Sequence, residues 1–192
     1  GMPEVVASFV ENKDFTEVRY LQNQIIDMYE DDFSKHTTEN ELPRIRMVWN
    51  SIPMQLAKEN KKFFFGKIKE GARAKDFEIA IEWLQDCGLI KKVYKVNKPA
   101  VPLKAYIDFT SFKLFLLDVG LLGALSELDA LSILEGNTVF IEFKGALTEQ
   151  YVLQQLVADT EYTPYYFAES KSEGEIDFMI QKNWIDRKSG SA

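Results

Sequence analysis

The stretch Asp76-Phe77-Glu78-Ile79-Ala80-Ile81-Glu82-Trp83-Leu84-Gln85-Asp86-Cys87-Gly88, followed at once by Leu89-Ile90-Lys91-Lys92-Val93-Tyr94-Lys95-Val96, decides how the chain reads. In its first half Phe77, Ala80, Ile81 and Leu84 recur at helical spacing, so a helix over 76–87 buries one face. Gly88 stands where that helix must end. The residue past a last turn commonly takes a left-handed conformation, which glycine adopts without strain. The second half turns to β-branched and aromatic residues, the composition of a strand. Pro99 and Pro102 then mark a turn, and Leu103–Phe109 is expected to return as the partner strand.

Toward the N-terminus, Phe15, Val18, Leu21, Ile25 and Met28 predict a helix over 15–29, ended by Asp31-Asp32 and the polar stretch beyond. Ile45, Val48, Trp49, Ile52 and Leu56 form the next apolar stripe. Pro53 falls inside it, which predicts a break or kink, with Ser51 capping a second short helix. Lys61-Lys62-Phe63-Phe64-Phe65 follows as a short extended piece. Helices followed by a basic two-stranded ribbon make a winged-helix pattern, with the 76–87 helix in the recognition position.

Toward the C-terminus the character changes. Phe112–Leu117 and Val119–Leu125 are strongly apolar, and Gly120 and Gly123 permit close packing or a turn. Asn137–Asp159 reads as a long helix. Pro164–Ala168, Glu175–Ile180 and Trp184–Lys188 read as strands. The expected fold class is therefore α/β mixed (α+β). A helical, winged-helix-like region over 1–108 leads into an α/β unit over 109–192.

Composition bounds the function. With 192 residues, 46% hydrophobic and 28% charged, the chain has a globular balance rather than a disordered one. A single cysteine, Cys87, excludes a disulfide framework and a thiolate metal site. It reads as a packing residue. A single histidine, His36, excludes a His-rich zinc site and reads as a surface residue. Trp49 and Trp83 read as core. No apolar run reaches the roughly 18 residues of a membrane span, and the start is not a secretory signal. The expectation is a soluble cytoplasmic protein with no membrane partner.

The net charge of −7 argues against bulk affinity for nucleic acid. Residues 58–104 nevertheless carry twelve Lys/Arg and six Asp/Glu, a local +6 that leaves −13 elsewhere. Two readings stay open. Either Lys61, Lys62, Lys67, Arg73, Lys75, Lys91 and Lys92 form a DNA-binding surface, or they are a solvated lysine-rich face. The Phe63-Phe64-Phe65 run likewise fits either aromatic–basic interleaving for single strands or a buried strand.

Carboxylates carry the candidate chemistry. Glu149 shares a helix face with Val152, Leu153 and Leu156, so it is either a buried acid in need of a partner or the wet edge of the stripe. Strand alternation puts Glu175 and Asp177 on one face of 175–180, and Asp186 and Lys188 on one face of 184–188. A tight turn at 181–183 would set Asp177 across from Asp186. Acids on neighbouring strands plus a lysine are what Mg²⁺-assisted phosphodiester cleavage requires: oxygen ligands for a hard cation and an activated water. The competing reading is the polar side of an edge hairpin.

A family resemblance runs through these residues. It is carried by Gly1–Val6, by Ile52-Pro53-Met54-Gln55-Leu56-Ala57-Lys58-Glu59-Asn60 with Lys62-Phe63, and by Trp83-Leu84 with Gly88-Leu89-Ile90. It continues through Asp118-Val119-Gly120-Leu121-Leu122, Gly145-Ala146-Leu147-Thr148-Glu149 and Gly174-Glu175-Ile176-Asp177-Phe178. Together, over about residues 2–188, these resemble the C-terminal half of predicted prokaryotic AAA-type ATPases carrying the domain of unknown function 4143. The resemblance implies a winged-helix-like part and then a fold similar to PD-(D/E)xK restriction endonucleases. Glu149 would be the helix acid, Asp177 the first strand acid, and Asp186 and Lys188 the last acid and lysine. Asp177 and Asp186 would hold Mg²⁺, Glu149 would complete the shell, and Lys188 would support the attacking water.

Three departures bear on that expectation. No G-x-x-x-x-G-K-[ST] motif occurs, so no ATP site is expected in this chain. The chain starts where the ATPase half of such a protein would have ended, and Gly1 reads as a tag remnant. Asp186-Arg187-Lys188 stands where the family has Glu-x-Lys after a longer hairpin. The sequence stops before the helix and strand that complete a nuclease-like core, which implies a truncated unit whose sheet edge can pair with another copy. The expected function is a nucleic-acid-associated module of an AAA-type ATPase family with Mg²⁺-dependent DNA cleavage. The alternatives are a non-catalytic protein-interaction module with a degenerate nuclease-like fold, and winged-helix DNA binding alone.

Overall fold

The computed structural model describes residues 1–58, 62–129, 141–169 and 174–182. The fold is mixed α+β, as the patterning predicts. Seven α-helices and four strands are present among these residues. The helices are α1 (Pro3–Asn12), α2 (Phe15–His36), α3 (Leu42–Leu56), α4 (Phe65–Ile68), α5 (Ala74–Asp86), α6 (Val119–Leu125) and α7 (Ile141–Asp159). The strands are β1 (Ile90–Val96), β2 (Ile107–Leu116), β3 (Tyr165–Ala168) and β4 (Glu175–Met179).

Helix α5 forms for the reasons its sequence gives. Phe77, Ala80, Ile81 and Leu84 are buried, and the Asp76 carboxylate accepts the Arg73 backbone N–H at 2.9 Å to close the first turn. At the other end Gly88 takes φ +73°. Its N–H reaches the Gln85 carbonyl at 2.9 Å, and the Leu89 N–H reaches the Leu84 carbonyl at 3.0 Å. This glycine-dependent stop turns the chain straight into β1.

Two helices run further than the pattern predicts. Helix α2 continues through Asp31-Asp32 to His36, because Phe33 returns to the buried face, fully enclosed against Trp49 and Trp83. The two aspartates are exposed, and Asp32 accepts from Lys35 Nζ one turn on at 2.9 Å. Helix α3 passes through Pro53 unbroken. Proline deprives the Trp49 carbonyl of a donor, but the stripe Ile45, Val48, Trp49, Ile52 and Leu56 is 0–1% exposed and holds the helix in place. Ser51 caps nothing; its hydroxyl donates to the Val48 carbonyl. Phe63 is buried, but it lies in no strand. Its N–H donates to the Phe112 carbonyl at 2.8 Å, and the Gln55 amide brackets Phe64, donating to its carbonyl and accepting its N–H. Cys87, expected to pack, is exposed. Its thiol is pushed up by partial burial and then by Asp86, so it is not an activated nucleophile. His36 is on the surface as expected.

The strands make one mixed sheet in the order β2-β1-β3-β4. β1 and β2 are antiparallel, β1 and β3 parallel, β3 and β4 antiparallel. The returning strand starts later than predicted, at Ile107, because Leu103–Tyr106 forms a 3₁₀ turn. The division expected near residue 108 falls inside β2. One core joins Trp49, Leu84, Phe115, Leu153 and Tyr166, which come from both sides of it.

Beyond β2 the chain turns sharply into α6. The Asp118 carboxylate caps α6 by accepting the Leu121 N–H at 3.0 Å. A Cβ at Gly120 would run into the Gln22 amide of α2, so the close packing expected of this glycine is real.

Candidate functional site, a buried lysine among three carboxylates

Strand β2 carries one charged side chain into the interior. Lys113 lies within Phe112-Lys113-Leu114-Phe115-Leu116, every residue of which is buried, and Lys113 itself is 0% exposed. A lysine so placed needs acceptors. Its Nζ donates to Glu175 Oε1 at 2.7 Å and to Glu149 Oε2 at 3.4 Å, and lies 3.5 Å from Asp177 Oδ1. The ammonium also stands 4.8 Å from the centroid of the buried Tyr166 ring. Burial, and then Asp108 and Glu175, push the Tyr166 phenol well above its ordinary range.

Three elements bring these groups together. Helix α7 supplies Glu149, which is 8% exposed, so the buried-acid reading is the one realised. Strand β4 supplies Glu175 and Asp177, on a common face as alternation requires. Helix α7 is fastened in register by its glutamines. Gln150 accepts the Leu116 N–H at 2.9 Å and donates to the Leu116 carbonyl at 2.6 Å. One turn on, Gln154 accepts the Val119 N–H at 2.9 Å and donates to Asp118 at 3.1 Å.

The structure thus brings Glu149 and Asp177, two of the acids singled out in the sequence, to the same lysine. Asp186 and Lys188 lie outside the described residues, so their approach to that point is not seen. Among the described residues no group of three or more His, Cys, Asp or Glu is arranged to hold a metal ion. The space between the carboxylates is taken by Lys113. Sequence reading passed over this lysine, although one cation in an otherwise apolar strand was the available signal.

The residues of the basic segment differ in exposure. Lys61 lies outside the described residues. Lys67, Arg73, Lys75 and Lys91 are exposed, while Lys62 and Lys92 are half-buried. The outer face of α5, the helix expected in the recognition position, shows Glu78, Glu82 and Asp86 one turn apart beside Ile79. That face repels phosphate. Lys62 and Lys92 instead lie against rings: Lys92 Nζ is 4.9 Å from the Tyr94 centroid and 4.4 Å from Phe112, and Lys62 Nζ is 6.0 Å from Phe64. Lys62 also donates to Ser111 Oγ at 2.9 Å.

A mixed four-stranded sheet flanked by helices, with a lysine-closed carboxylate cluster, defines an α+β domain whose polar centre is assembled from distant parts of the chain. Residues 1–132 match the family described as Domain of unknown function (DUF8612), and the chain belongs to that family. No curated protein and no solved structure matches it. The matched segment contains Lys113, whereas Glu149, Glu175 and Asp177 follow it. No helix among the described residues is long and apolar enough to cross a membrane.

Proposed function

We propose that this chain is a nucleic-acid-associated, non-catalytic module that resembles the C-terminal half of AAA-type ATPases and whose nuclease-like carboxylates serve structure. The observation that carries this reading is the Lys113 ammonium, fully buried and within 2.7–3.5 Å of Glu175, Glu149 and Asp177. A Mg²⁺ ion needs oxygen ligands at about 2.0–2.1 Å in octahedral array. An ammonium at the same point repels the ion and already uses the acceptors. The local +6 of residues 58–104 supports association with a polyanion.

A second reading, Mg²⁺-dependent DNA cleavage, is favoured by the convergence of Glu149 and Asp177. Calorimetric titration of the chain with Mg²⁺, with DNA cleavage scored in the same buffer, separates the two. The expected result is neither binding nor cleavage. Binding and cleavage that both vanish in Asp177→Ala would overturn the non-catalytic reading and establish the second one. Sedimentation of the same samples reads out self-association through a sheet edge.

A further inference from the structure

A cleft of about 490 Å³ opens between the start of α3 and the turn that leads into α5. That volume lies within the range of small-molecule sites. The turn, Lys69-Glu70-Gly71-Ala72, is closed by the Ala72 N–H, which donates to the Lys69 carbonyl at 3.0 Å, and Gly71 takes φ +75° within it. Met47, Ala72 and Phe77 supply apolar lining. Met47 is 42% exposed, whereas Phe77 is buried and continuous with the core. Two cations, Arg44 and Lys69, share the lining, and both are exposed. Among the described residues neither makes a side-chain hydrogen bond or an ion pair. Two acids line the cleft as well. The Asp76 carboxylate is committed to the first turn of α5, where it accepts the Arg73 N–H at 2.9 Å. Glu70, on the exposed turn, is the acid left to oppose the cations.

We infer that this cleft binds a small organic carboxylate, its apolar body against Met47 and Phe77 and its charge on Arg44 and Lys69. A planar guanidinium matches a carboxylate through paired N–H groups. An inorganic anion leaves the apolar lining unused, and an organic cation meets two charges of its own sign. The inference is independent of the nucleic-acid-associated reading and of the carboxylate cluster around Lys113.

The test is isothermal titration calorimetry of the full chain, at one pH and ionic strength. The probes are phenylacetate and decanoate, with phenylacetamide, phenethylamine and inorganic phosphate as controls. At least one of the two acids should bind saturably, and each control should bind it about tenfold more weakly or not at all. Arg44→Gln and Lys69→Gln, both at exposed positions, are compared with wild type after circular dichroism confirms that each is folded. Each should weaken the acid about tenfold. Glu70→Gln should tighten it, because the opposing charge is gone. Saturable binding by neither acid would overturn the inference. So would an acid that binds no better than the amide or phosphate, a preference for the amine, or affinity indifferent to both Arg44→Gln and Lys69→Gln.

Discussion

Replacing Lys113 with methionine keeps the unbranched stem but leaves Glu149, Glu175 and Asp177 facing one another without their cation. Breaking a buried pair by removing one partner strands the other charge. Lys113→Met should therefore lose about 3 kcal/mol in urea unfolding, and adding Glu149→Gln should recover part of it. An unchanged midpoint would show that the cluster contributes nothing to stability. Beneath the ammonium, Tyr166 sets an alkaline limit. Its folded pKa is raised, so its contribution is fully present below the unfolded phenol value of about 10 and is lost as pH climbs through the folded value. Thermal melts in that window should fall with pH in wild type and fall less steeply in Tyr166→Phe, which keeps the ring under Lys113. Equal slopes would exclude the phenol as the cause.

Between elements, side-chain amides do much of the joining. Gln150 is 0% exposed and satisfies both backbone groups of Leu116. Gln150→Leu matches it in size but leaves a buried N–H and C=O unpaired, at about 1–3 kcal/mol each. The melting temperature should drop clearly, and less so in Gln154→Leu, whose site is only half-buried. Such joints explain what sequence patterning reaches and what it misses. Helix α5, its glycine stop and β1 are written locally, in spacing that extends over a dozen residues. The continuity of α2 past Asp31-Asp32 depends on Phe33 finding Trp49 and Trp83, and that of α3 past Pro53 on a stripe pressed into the core. Neither is visible in local propensity. The shared face of Glu175 and Asp177 follows from alternation alone. Their meeting with Lys113, 62 and more residues earlier, depends on sheet order, which a single sequence does not encode locally.

At the scale of the molecule, the sheet pairs β1, which precedes residue 108, with β3, which lies far beyond it, and β2 runs across that position, so the composition change there falls within one sheet. The family match ends at residue 132, between the lysine and its three acids. The polar centre is therefore complete only when the segment that follows is in place.

Phe112 and Lys113 are neighbours on β2, and neighbours on a strand point to opposite sides. On the Phe112 side Lys92 covers the rings. On the Lys113 side one ammonium meets three carboxylates, and Asp177 and Glu175 are 52% and 35% exposed. Water thus reaches two of the carboxylates while the cation they share stays dry, so the acids can exchange with solvent without the ammonium ever being wetted.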